Sequence, residues 1–204
     1  MKLFAVTNDT YDVHTLASYI QAIEPFVDFI ILREKSKTIQ QWFTLFSLLE
    51  RDGIPKEKCI VHDRLDVAHI MKFPSVQLPG YSIPVHLAKR AYPSIRIGRS
   101  VHSYEEALEA EREGADYLLY GHVYTTPSKK GLPPRGTDEL RRIVQGVDIP
   151  VVAIGGIRFE QIDEMRTIQV DGIAVVSPFF QTSTPREVAQ QFHHRLMNDT
   201  TTDV

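Results

Sequence analysis

The chain has one cysteine, Cys59, in 204 residues. A lone thiol excludes an internal disulfide and a zinc site built from thiolates. It lies in the apolar run Cys59-Ile60-Val61, where a small buried hydrophobe is expected in preference to a nucleophile. No apolar stretch approaches the ~20 residues that span a bilayer. The opening MKLFAVTNDT turns polar before it forms a secretory apolar segment. A cytoplasmic protein with no membrane partner is expected. An excess of either charge is also missing: 23 Lys and Arg against 26 Asp and Glu leave a net charge of -3. With no basic stripe and no DNA-binding element, nucleic acid is not an expected partner, and positive character at a site has to be local. Thr7-Asn8-Asp9-Thr10 lacks the glycine that a dinucleotide-binding turn needs after a first strand. No low-complexity or Pro/Gly-rich boundary divides the chain. Residues 1–204 therefore read as one domain, with 198–204 a frayed tail.

What is present is a steady alternation of short apolar runs and helix-length polar segments. The runs are Leu3–Thr7, Phe29–Leu32, Cys59–Val61, Ser75–Leu78, Ile95–Ile97, Tyr117–Tyr120, Val151–Ile154 and Gly172–Val176. Between them, apolar residues recur at helical spacing, as in Ile39, Trp42, Phe43, Phe46 and Leu49. A capping-box pattern, Ser103 to Glu106, precedes the segment rich in alanine and glutamate. Near-continuous Val/Ile/Leu strands separated by helices imply parallel strands buried on both faces. Eight such units in 204 residues predict a compact (β/α)8 TIM barrel with short loops.

That architecture gathers scattered residues, because groups at the C-terminal ends of barrel strands share one mouth. The strand ends supply Arg33 and Lys35, His62 and Asp63, Ser100 and His102, His122 through Lys129, Gly155-Gly156, and Ser177. Gly155-Gly156 and Ser177 follow strands seven and eight, where barrels commonly hold phosphate, and Thr126 and Ser128 can complete that cradle. His122 is the strongest acid–base candidate. Lys35 is two residues beyond Arg33, so both point to one side. Partial burial beside the guanidinium would lower its pKa and suit it to act as an acid, or both cations would bind anions. His62 and Lys129 are further candidates, whereas His102 is expected to be solvated at a helix start. A magnesium site wants at least two converging carboxylates or amides. Asp63 is one, but Leu78-Pro79-Gly80-Tyr81-Ser82 offers no second. No functional metal is expected.

Several segments then resemble the thiamin phosphate synthase superfamily. They are Leu32-Arg33-Glu34-Lys35, His62-Asp63-Arg64, Ile97 to His102, Gly114 to Tyr117, Thr126-Pro127-Ser128-Lys129, Pro150 to Ile157 and Gly172 to Ser177. The resemblance implies a barrel acting on the phosphorylated thiazole moiety of thiamin. Departures from the synthase pattern stand at Ile31 (for Gln), His62 (for Asn), Ser82 (for a magnesium carboxylate) and Gly121-His122 (for Gly-Pro). Three of them fall on the side of the pyrimidine pyrophosphate and its metal, while the thiazole-phosphate side is kept. His122-Val123, Lys129 to Leu132 and Arg135-Gly136 are similar to the TenI branch, the thiazole tautomerases.

The branch resemblance implies a cofactor-independent isomerase. It would convert the carboxythiazole phosphate tautomer with an exocyclic double bond into aromatic 2-(2-carboxy-4-methylthiazol-5-yl)ethyl phosphate. On that expectation His122 is the base and Lys35 the acid, Arg33 or Ser100 holds the carboxylate, and Thr126, Ser128, Gly156 and Ser177 hold the phosphate. A homodimer is implied as well. A thiamin phosphate synthase and a non-catalytic regulator that binds thiazole phosphate are the alternatives.

Overall fold

A computed structural model describes residues 1–126, 129 and 131–198. Eight parallel strands close into one barrel in sequence order. They are β1 (Lys2–Val6), β2 (Phe29–Leu32), β3 (Cys59–His62), β4 (Ser75–Leu78), β5 (Arg96–Val101), β6 (Tyr117–Gly121), β7 (Val151–Ile154) and β8 (Gly172–Val175). β1 closes the ring against β8, with Leu3 opposite Ile173 and Ala5 opposite Val175. Around them run α1 (Val13–Ile23), α2 (Ile39–Arg51), α3 (Leu65–Ile70), α4 (Val85–Ala91), α5 (Tyr104–Arg112), α6 (Asp138–Gly146), α7 (Ile162–Ile168), α8 (Ser177–Phe180) and α9 (Pro185–Met197). The one-turn α8 was not expected from the sequence. No described helix is long and apolar enough to cross a membrane.

The apolar runs are explained by two separate cores. Phe4, Val6, Ile31, Ile60, Tyr117, Leu119, Val152 and Ala174 pack together on the barrel axis. Their strand neighbours Leu3, Ala5, Ile30, Leu32, Val61, Leu118, Tyr120 and Ala153 pack outward against the helices. Each strand thus sends alternate residues into opposite apolar environments, as a pleat requires. Trp42 lies in the outer core, 1% exposed, with its ring 5.3 Å from that of Phe46. Cys59 is buried there too, and burial chiefly, with Glu24 and Glu57 adding to it, pushes its thiol up to about 12. It is the inert packing residue expected.

The helix starts follow their local chemistry. Asp12 caps α1 by accepting from the amides of His14 and Thr15 at 2.9 and 3.1 Å. Thr38 and Gln41 form a reciprocal capping box at α2. At α5, Ser103 accepts from the amide of Glu106 at 3.1 Å, but the Glu106 carboxylate reaches one residue further back, to the amide of His102 at 2.7 Å.

The loop after β2 holds a buried ion pair that also bonds to the loop after β1. Lys37 Nζ donates to the Glu34 carboxylate, with side chains 5% and 1% exposed, and to the Tyr11 carbonyl at 2.8 Å. Asp9 accepts from the amide of Ser36 at 3.0 Å, and Thr7 Oγ1 accepts from the amide of Arg33 at 2.8 Å. Removing one member of such a pair strands a charge in low dielectric. Lys37→Met is therefore expected to cost about 3–5 kcal/mol, a fall on the order of 10 °C in thermal midpoint. The double variant Glu34→Gln/Lys37→Met should recover most of it. A single variant that melts with the wild type would remove this role from the pair.

Candidate active site

The inward positions of the strands, continued to their C-terminal ends, build the mouth. Ile31 faces the axis, so Arg33, two residues on, reaches the mouth, as Lys35 does beyond it. Ile60 faces the axis, and His62 follows in the same sense. Gly98 lies against the inward Tyr117 ring, where an added Cβ would stand 2.1 Å from Tyr117 Cζ. Ser100 is the next inward position, and its Oγ accepts from Gln77 Nε2 at 3.0 Å. Arg33, Lys35, His62 and Ser100 line a cavity of about 840 Å³ together with His122, Thr126, Lys129, Gly155, Gly156 and Ser177. The expected catalytic and binding residues among those described are thus brought to one cavity, whereas Asp63, Val123 and Tyr124 do not line it. Ser128 lies outside the described residues.

The β6 and β7 ends form its far wall. Val123 N donates to the Ile154 carbonyl at 3.0 Å and Tyr124 N to the Gly155 carbonyl at 2.9 Å. This contact dictates the two glycines. Gly155 has φ +106, and a Cβ there would stand 2.4 Å from that of His122; at Gly156, with φ +71, it would stand 2.5 Å from the Thr125 carbonyl. The glycines therefore allow one loop to lie against the other, besides any part they play in holding phosphate. The chain after β6 then folds back, and Arg135 N donates to the His122 carbonyl at 3.0 Å. His122 is 7% exposed, and its Nε2 has no protein partner among the described residues.

The near wall, after β2 and β3, is cationic. Burial foremost, then the Arg33 charge, push the imidazole of His62 down to about 4, with Asp63 opposing and Lys35 adding a weaker push in the same direction as Arg33. His62 therefore offers a neutral ring at physiological pH. Lys35 departs from expectation: it is exposed, with its ammonium 4.9 Å from the centre of the Tyr81 ring. The buried lysine of this loop is Lys37 instead. His102 also differs from the solvated residue expected. It lines the cavity, and burial lowers its pKa despite the nearby Glu106.

Sequence reasoning missed Tyr81 and Arg99, which also line the cavity. Tyr81 sits in an aperiodic loop, and Arg99 on the outward side of the pleat. Magnesium, which the resemblance ties to the synthase reaction, finds a poor donor set. Asp63 is held in a left-handed conformation, φ +62, and the loop after β4 brings Tyr81 and Ser82 in place of a carboxylate. Among the described residues no group of three or more His, Cys, Asp or Glu could hold a metal ion. The residues do not fit a protein-built metal cage.

Comparison with known proteins narrows the chemistry. The family model described as thiamine monophosphate synthase, TMP-TENI, matches residues 3–179. A thiamine-phosphate synthase from Pyrococcus horikoshii is 38% identical over 193 residues, covering 93% of this chain and 92% of the relative. The solved thiamine phosphate pyrophosphorylase from Pyrococcus furiosus has a TM-score of 0.81 at 35% identity, covering 96% of this chain and 95% of that one. A 3-hexulose-6-phosphate synthase, with a TM-score of 0.76 at 13% identity over 96% of this chain and 100% of its own, shares the fold.

These relatives overturn the tautomerase reading, and with it the isomerase class and the TenI assignment: they are synthases along nearly their whole length. The departures that suggested a lost pyrimidine side have a milder meaning in the structure. Ile31 belongs to the axial core, and His62 keeps a neutral hydrogen-bonding ring on the wall of the cavity. The roles of His122 as base and Lys35 as acid belong to the tautomerisation and go with it.

The depressed pKa of His62 has a consequence for stability. Between about 4 and 6.5, the unfolded chain binds a proton at this residue that the folded chain does not, so stability falls as pH drops through that window. The full effect is on the order of 3 kcal/mol. Carboxylates such as Asp12, held down to about 2, lose their contribution only at lower pH. Denaturant melts from pH 7 to 4 should therefore show a slope that His62→Asn reduces, with His102, whose pKa burial also lowers, keeping part of the remainder. An unchanged slope in the variant would refute the assignment.

Proposed function

The chain belongs to the thiamine monophosphate synthase family, and from that premise we propose that it is a transferase joining the phosphorylated thiazole of thiamin to the pyrimidine pyrophosphate. In that reaction a C–N bond forms between the thiazole nitrogen and the pyrimidine methylene carbon. The C–O bond to pyrophosphate breaks, and its electron pair leaves with the pyrophosphate oxygen.

The observation that carries the reading is a single cavity with two anion-suited walls. Arg33 and Lys35 lie on one side, and Gly156, Ser177 and Thr126 on the other, around about 840 Å³. That volume suits two small substrates held together. Arg33 and Lys35 meet the charge that grows on departing pyrophosphate, an interaction strongest where charge develops. His62, neutral, donates or accepts a hydrogen bond beside them without adding a third charge. Gly156, Ser177 and Thr126 take the thiazole phosphate, with Lys129 at the rim and Ser128 joining them on the family resemblance alone. Ser100 and the unpartnered Nε2 of His122 orient the rings between the two walls. Fixing both substrates converts a bimolecular encounter into an oriented one. A cytoplasmic homodimer is part of the same proposal, its mass measurable by sedimentation.

Incubation with both phosphorylated precursors and magnesium should yield thiamine phosphate and pyrophosphate, separated by chromatography. Arg33→Ala should lower turnover by roughly 10²–10³ while melting as the wild type does. Absence of thiamine phosphate from the wild-type reaction would overturn the assignment.

A further inference from the structure

The loop between β4 and α4 presents an aromatic ring to the cavity. Tyr81 is 68% exposed, the one aromatic among the strongly exposed large hydrophobic residues described, and it lines the cavity. Its backbone is nevertheless held. One guanidinium, Arg99, donates to the carbonyls on both sides of it, Gly80 and Ile83, each at 3.1 Å. Ser82 N closes the turn onto the Pro79 carbonyl at 2.9 Å. The ring itself is met by the Lys35 ammonium, 4.9 Å from its centre, a cation–π contact across the mouth between the β2 and β4 loops.

An exposed ring on an anchored loop has paid little of its burial in advance and keeps a face for a ligand. Lys35 occupies that face only while no stronger anion is present, because charge–charge attraction to a phosphate exceeds an exposed cation–π contact. We propose that Tyr81 is a positioning residue for the flat heteroaromatic ring of the substrate bound at the Arg33–Lys35 wall. When the anionic tail draws Lys35 away, the freed phenol ring stacks on the heterocycle. Which ring it meets rests on the synthase reading, under which it is the pyrimidine. Arg99 acts through the loop, by fixing the height of the platform.

Calorimetric titration of pyrimidine pyrophosphate and of inorganic pyrophosphate tests this on wild type, Tyr81→Ala and Tyr81→Phe. Loss of one stacking partner is expected to weaken pyrimidine pyrophosphate about tenfold in Tyr81→Ala. Inorganic pyrophosphate should bind all three proteins alike, and Tyr81→Phe should match the wild type. In turnover, KM for the pyrimidine substrate should rise in Tyr81→Ala with KM for the thiazole phosphate unchanged. Equal binding of pyrimidine pyrophosphate by Tyr81→Ala and wild type would overturn the proposal, as would an equal loss for both ligands. A wild type that makes no thiamine phosphate, yet binds pyrimidine pyrophosphate through Tyr81, would refute the synthase reading and leave this one standing.

Discussion

The structure depends on one constraint of the pleated strand, that successive side chains leave the sheet on opposite sides. In a closed ring of parallel strands this makes two interiors from one set of residues. The axial set fills the barrel, the other set holds the helices, and both need apolar side chains along most of each strand. At the C-terminal ends the axial positions run out of barrel to fill. The same alternation that buries Ile31 and Ile60 then delivers Arg33 and His62 to open space. Site and core are consecutive members of one periodic series, so the register that packs the barrel also aims its polar groups.

That link explains what the sequence made legible. Strand ends can be read from apolar runs, and a parallel closed ring turns them into neighbours, so the sequence alone points His62, Ser100, His122, Gly156 and Ser177 to one mouth. What escaped was set by loops without a period. Tyr81 follows Pro79-Gly80 with nothing in its spacing to aim it inward, and Arg99 points away from the axis, yet its long side chain returns to clamp the loop carbonyls. The Lys35 environment was misjudged for a related reason. Proximity to Arg33 was readable, but which lysine the β1 and β2 loops would enclose depended on Glu34 turning outward to meet Lys37.

Function was legible only to the level of family. Individual replacements at Ile31, His62 and Ser82 look like losses by name, whereas the physical properties they leave behind are an apolar axis and a neutral ring beside two cations. A side chain's name is a poor guide when its neighbours reset its charge: burial and Arg33 keep His62 uncharged, so at neutral pH it resembles an amide more than an acid. The glycines after β7 teach the complementary lesson. Read as an anion cradle, they are first of all the clearance that lets the β6 and β7 ends touch.

The solitary sulfur of the chain offers a practical handle. Cys59 is walled into the outer core, and its proton is held too tightly for thiolate chemistry at ordinary pH. A maleimide or other soft electrophile would find it only in molecules whose β3 had come free of its covering helices. The rate of labelling would then count openings of the barrel one chain at a time, with no reporter engineered in and no competing thiol to subtract.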